Sequence, residues 1–321
     1  MAGLGTVSEV AAFLRQHPGW SSALHNVNPD DSSMNRSTLE TLLRSGLYEH
    51  FLKVAHFVSS TDRSLMRYTL ALCERDIILS FLRLFNAGRL QDFQIMLPEA
   101  FLGSSKIDFT KLSAARSYDQ MLEAVRDTEV YASLARFAPD GNGVLNYTGI
   151  EVALMSHEYR IYFGAAKKRY SGSVKKTLVN ALGSEIDVIN IIRIMRLKKY
   201  FPSSMDTVFN YLLPFSYRLS QDFVRQLYTA DDETAMLNLL KTSRYSKVFE
   251  PGSVAYIEEY YYRMLNKFNL RMLKHAAPSV YTAVAYLHLK QLELKNVINI
   301  IECVRYQVPP QNAAAYLVGV K

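Results

Sequence analysis

The sequence predicts an all-α protein of three tandem helical bundles, and three observations carry that prediction. Breakers are scarce: 14 glycines and 10 prolines stand among 321 residues, where about 12% is usual for the pair. Long uninterrupted elements follow, which favours helices. Polar residues recur at helical spacing on an otherwise apolar stretch, as in Asp187, Asn190, Arg193 and Arg196. Finally, the pattern repeats. Trp20 and Tyr131 are 111 positions apart, as are Leu39-Glu40 and Ile150-Glu151, and Glu74-x-Asp76 and Glu185-x-Asp187. A third copy is less regular: Tyr245 lies 114 after Tyr131, Ile257-Glu258 lies 107 after Ile150-Glu151, and VINII at 188–192 returns at 297–301. The expected units are 1–111, 112–226 and 227–321. That period is too long for a solenoid and suits a triplicated small domain.

Each unit opens on a short amphipathic helix ending near the aromatic, at 9–17, 120–130 and 233–241. Ser8 and Asp232 are the expected N-caps, and Pro18-Gly19 stops the first helix. A second helix carries the Leu/Ile-Glu pair, and a long third helix carries Glu-x-Asp. Pro98, Pro202 and Pro309-Pro310 punctuate the exit from the third helix or the short segment after it. The connectors into units two and three share Asp108-Phe109 with Leu112, and Asp222-Phe223 with Leu227.

The third helix of unit two is rich in β-branched residues, which favour strands. Length decides for helix, because 184–201 contains neither Gly nor Pro. Asp187, Asn190, Arg193 and Arg196 fall every three residues, so they form a drifting polar seam on an otherwise apolar cylinder. Asn296, Asn299, Glu302 and Arg305 repeat it, whereas unit one keeps Asp76 but has Leu79, Leu82 and Phe85. A helix apolar on most sides is a buried one. The third helix is therefore expected at the centre of each bundle.

Composition excludes several classes. Charged residues are 21% and hydrophobic residues 49%, ordinary for a globular protein and not for a disordered one. No stretch reaches the roughly 20 apolar residues of a membrane-spanning helix, and Glu9 precedes the first basic residue, unlike a secretion signal. Cys73 and Cys303 are too few for a disulfide framework, and a reducing, cytoplasmic setting is expected. The run at 171–177, SGSVKKT, lacks the second Gly of a phosphate loop, and no Gly-x-Ser-x-Gly or His-Glu-x-x-His is present. The loop from Asp140 to Asn146 resembles part of a calcium site, but either register puts Ala138 or Leu145 where a ligand or the turn glycine belongs. No cofactor, metal or small-molecule substrate is expected, and no residue constellation supports an enzyme.

The formal net charge is +7, partly concentrated in Lys167, Lys168, Arg169, Lys175 and Lys176. This cluster is the candidate contact surface, toward an acidic protein, anionic lipid or nucleic acid. Nucleic acid is disfavoured, because no aromatic–basic alternation accompanies the run. Tyr159, Tyr162, Tyr256, Tyr260, Tyr261 and Tyr262 enrich the second helices of units two and three, where core and partner roles are equally compatible with Tyr.

Glu185-x-Asp187-Val-x-Asn190-Ile-x-x-Ile194-Met-Arg196 resembles the repeated helix of the C subunit of bacterial and archaeal V/A-type rotary ATPases, the counterpart of subunit d of the vacuolar enzyme. Asn296-Val-x-Asn299-Ile with Arg305 looks like its last copy, while Leu79 and Phe85 depart from it in unit one. The resemblance implies a pseudo-threefold funnel of three helical domains. It also implies a non-catalytic rotor part on the cytoplasmic face of the membrane, with the central stalk and the proteolipid ring as partners. Asp187, Asn190, Arg196, Asn299 and Arg305 would then organise the bundles or line the socket. The rival is a soluble helical scaffold binding acidic proteins or RNA through the basic run.

Overall fold

The computed structural model describes residues 1–25, 34–58, 62–95, 97–201, 204–250, 254, 256–275 and 279–319. A pair of long helices preceded by shorter ones recurs three times along the chain. The first segment has α1 (Val7–Gln16), α2 (Ser21–Leu24), α3 (Arg36–Phe57), α4 (Arg63–Asn86) and α5 (Glu99–Leu102). The second has α6 (Phe109–Ala114), α7 (Tyr118–Ala124), α8 (Tyr131–Leu134), α9 (Tyr147–Arg169), α10 (Gly172–Tyr200) and α11 (Met205–Asn210). The third has α12 (Gln221–Thr229), α13 (Glu233–Thr242), α14 (Glu259–His275), α15 (Val280–Arg305) and α16 (Pro310–Ala313). The all-α expectation holds, with no strand among the described residues. Both connectors are themselves helices, α6 and α12. Pro202 lies outside the described residues.

Local chemistry sets the helix starts. α1 is capped by Thr6, whose Oγ1 accepts from the Glu9 N–H at 3.2 Å, two residues before the expected Ser8. Asp232 caps α13 as expected, accepting from the Ala235 N–H at 2.7 Å. Asn146 caps α9 and Ser117 caps α7 in the same way. Each such cap supplies an acceptor to a backbone donor the helix leaves open, and is worth about 1 kcal/mol.

Contacts divide the chain into two compact units that interleave in sequence. One comprises Met1–Val58, Met96–Gly103 and Tyr262–Lys321; the other comprises Ser59–Ile95 and Ser104–Tyr261. In the first unit α15 packs on α1 and α3, around Leu14, Trp20, Leu24, Leu39 and Leu43. In the second, α4 packs along α9, and α10 packs on α9 and α12, around Ile78, Phe81, Leu82, Leu112 and Met121. Burying each such side chain contributes about 1.5–3 kcal/mol. A common rule emerges. The longest helix of each segment packs on elements of the next segment, α4 on α9 and α10 on α12, and the last on the first, α15 on α1 and α3.

α10 is deeply enclosed over its second half. Glu185 to Asn190 are all buried, as are Ile191, Ile192, Ile194 and Met195, so the helix is covered on every side there. Gly183 allows one close approach: a Cβ at that position would lie 2.3 Å from the Tyr217 ring.

Candidate functional site

The polar stripe of α10 is spent on the chain that follows it. Asp187 is fully buried; its carboxylate accepts from the N–H groups of Tyr217 (3.0 Å) and Arg218 (2.7 Å) and from the Tyr245 hydroxyl (2.5 Å). One turn further, Asn190 accepts from the Leu213 N–H at 2.8 Å and donates Nδ2 to the Leu213 carbonyl at 3.2 Å. Another turn on, Arg193 donates to the Tyr211 carbonyl at 3.0 Å and pairs with Glu151 at 2.9 Å. The chain from Tyr211 to Arg218 thus runs back along the helix, with peptide groups of Tyr211, Leu213, Tyr217 and Arg218 satisfied by side chains rather than by a ladder. An asparagine suits this task because one amide both donates and accepts, matching the N–H and C=O of a single residue.

The third segment repeats the arrangement. Asn296 accepts from the Val318 N–H at 2.8 Å and donates to its carbonyl at 2.9 Å, and Asn299 donates to the Tyr316 carbonyl at 2.7 Å. The structural counterpart of Asn190 is therefore Asn296, and that of Arg193 is Asn299. Matching the two VINII strings pairs Asn190 with Asn299, one helical turn away. In the corrected register Asp187 corresponds to Glu293. Glu293 accepts from the Trp20 indole at 2.8 Å, as Asp187 accepts from Tyr245. Trp20 and Tyr245 are the aromatics that end the short helices, so a carboxylate on one long helix holds the aromatic of another segment in both cases. Asn86, on α4, grips Leu145 through both backbone groups (3.0 and 3.1 Å).

The remaining seam residues lie outward. Arg196 is exposed and pairs with Glu258 at 3.0 Å. Arg305 is exposed, pairs with Glu302 at 3.5 Å and lies over the Tyr306 ring. Beside Arg196 is an open cleft of about 340 Å³. There Lys199 pairs with Glu233 at 3.2 Å, so cations and carboxylates balance and the cleft has no net preference for an ion. Lys198 donates to the Tyr228 carbonyl at 2.7 Å and to that of Ala230, at the end of α12 rather than of its own helix.

Sequence reasoning missed a second buried polar group. Glu158 on α9 is buried, with Oε2 paired to Arg75 of α4 at 2.8 Å and Oε1 without a hydrogen bond. Burial pushes its pKa up to about 8, opposed by Arg75 and reinforced by Asp76, Glu185 and Glu151. Below that value the folded chain holds a proton that the unfolded chain has already released near 4.5. Stability is therefore expected to fall as pH rises from about 5 to 8, by on the order of 1.4 kcal/mol per pH unit at most. Thermal midpoints from pH 5 to 9 would check it. Glu158→Gln should flatten that dependence, and an equally steep profile in the variant would assign the effect elsewhere. Glu151 and Glu158 are seven apart on one helix face, a signal that was available in the sequence.

Three of the tyrosines are core: Tyr159, Tyr162 and Tyr260 are buried, and the hydroxyls of Tyr159 and Tyr261 converge on Glu185 at 3.0 and 2.8 Å. Asp140 spends its carboxylate on the N–H groups of Asn142 and Val144, as an ordinary polar loop does. Both cysteines are buried and free. Lys167, Lys168, Arg169 and Lys176 are exposed, and Lys175 is half-buried, where α9 turns into α10.

Among the described residues no group of His, Cys, Asp and Glu is placed to hold a metal ion, and no helix is long and apolar enough to cross a membrane. The fold and the seam define a class: an all-helical protein whose buried polar side chains organise its own backbone. The ATP synthase (C/AC39) subunit family matches residues 1–316, and the chain belongs to that family. It is a non-catalytic subunit of a V-type ATPase. No curated protein matches it.

Proposed function

We propose that the chain is a rotor adaptor, joining the central stalk of the V-type ATPase to the proteolipid ring at the cytoplasmic face of the membrane and transmitting torque between them. Three related helical units, 1–111, 112–226 and 227–321, arranged as a funnel, form its body. Asp187, Asn190 and Asn299 hold that body together, and Arg196 and Arg305 stand at its surface where the socket would be lined.

The observation that carries this reading, beside family membership, is the interlocking of segments. Asp187 holds Tyr245 and Glu293 holds Trp20, so each joint links residues far apart in sequence. Torque loads such joints in shear, and packed helices with satisfied polar groups resist it because close-packed cores do not deform continuously. The test is reconstitution of the complex with and without this chain. Omission should leave ATP hydrolysis measurable while ion pumping per ATP drops at least tenfold. Full coupling in its absence would sink the proposal.

A further inference from the structure

We propose that the turn between α9 and α10 is a contact for an anionic membrane surface, made by the headgroup phosphates of acidic phospholipids. Lys167, Lys168 and Arg169 form the last turn of α9, and Lys175 and Lys176 lie within the first five residues of α10. Between Glu158 and Glu185 the sequence contains no Asp or Glu. Among the described residues none of the five cations has a carboxylate within ion-pairing distance; Lys167 lies 5.5 Å from the Phe163 ring instead. Asp62 reaches the turn and accepts from the Tyr170 hydroxyl; Lys167, Lys168, Arg169 and Lys176 are exposed and Lys175 is half-buried.

The second observation concerns the start of α10. A helix N-terminus favours acidic residues and disfavours cations. Here the first turn has no acid, two lysines follow at once, and Ser171 makes no side-chain cap. Gly172, at φ +56°, closes the turn with open space where a side chain would be. These choices at the start of α10 work against helix stability, and such departures concentrate where a surface serves a partner.

The chemistry selects lipid over the other anionic partners. Protein interfaces are built on an apolar centre and are depleted of Lys, whereas this turn has four Lys and one Arg and no exposed large apolar side chain. Single-stranded nucleic acid needs aromatic platforms for its bases, and the local aromatics, Phe163 and Tyr170, are both engaged. Flexible ammonium groups around one turn match a plane of phosphates, where each contributes about a fivefold gain in partition. The inference stands apart from the rotor reading, since it requires only an anionic surface.

The experiment is co-sedimentation of the full chain with vesicles of phosphatidylcholine alone, or with about a third phosphatidylserine. Binding is expected to the anionic vesicles only and to vanish near 0.5 M salt, because screening shortens the reach of surface charge. Replacing Lys167, Lys168, Arg169, Lys175 and Lys176 by Gln should lower partition by at least a hundredfold. A control variant with Arg89, Lys111, Arg126, Lys241 and Lys267 changed to Gln loses the same net charge and should bind within about fivefold of the parent. Equal losses in the two variants would reduce the effect to net charge and overturn the proposal. So would absent vesicle binding together with retention on polyglutamate or RNA that the first variant loses. Failure here leaves coupling in the reconstituted complex unaffected, so the two readings fall separately.

Discussion

Asp187→Ala is expected to lower the stability of the unit comprising Ser59–Ile95 and Ser104–Tyr261 by about 3–5 kcal/mol, the largest loss from any seam position. Three donors lose their acceptor together: the N–H groups of Tyr217 and Arg218 and the Tyr245 hydroxyl. Each orphaned buried donor costs about 1–3 kcal/mol, and the cavity left by the carboxylate is too enclosed for easy hydration. Asp187→Asn keeps one acceptor oxygen but turns an amide N–H₂ toward donors, so an intermediate loss is expected. Urea unfolding followed by far-ultraviolet circular dichroism measures both. A loss below about 1 kcal/mol for the alanine variant would mean that water replaces the carboxylate, contrary to this account.

Trp20→Ala should cost the unit comprising Met1–Val58, Met96–Gly103 and Tyr262–Lys321 a comparable 3–5 kcal/mol. The indole is 1% exposed, donates to Glu293 at 2.8 Å and lies 5.1 Å from the Lys290 ammonium. Trp20→Phe retains most of the buried area and leaves the half-exposed Glu293 to water, so it should cost only about 1–2 kcal/mol. Because Trp20 is the single tryptophan, its fluorescence follows this unit in the parent protein. Similar losses for Phe and Ala would show that the hydrogen bond, not the packing, carries the joint.

The helices were legible because their signals are local. An apolar run without Gly or Pro at 184–201 identified the second half of α10, whose start at Gly172 lies beyond Gly183 and was missed, and Asp232 identified the start of α13. Thr6 was missed because Thr6 and Ser8 both precede the apolar run, and only backbone geometry distinguishes them. The polar seam was legible as a stripe, but its partners were not. Tyr211, Leu213, Tyr217 and Val318 offer backbone groups, and every residue has those. The repeated VINII string misled by one turn because Val, Ile and Asn fit equally well three residues apart on a buried helix. The clamp fixes the register where the letters do not. Glu158 went unread for a related reason, since its partner Arg75 lies 83 residues away.

The interleaving of the two units also governs how the chain must be made. The indole of Trp20 and the carboxylate of Glu293 are 273 residues apart, and synthesis proceeds at about 5–20 residues per second. The apolar face of α1, α2 and α3 therefore waits on the order of ten seconds or more on the ribosome before α15 exists to cover it. During that interval Ser59–Ile95 and Ser104–Tyr261, which are contiguous but for one short excursion, can complete their own packing. The packing of the first 58 residues is thus expected to be completed last, although they emerge first. A nascent chain stalled before α15 would present that uncovered face to chaperones, and the same face would be the first to aggregate when they are scarce.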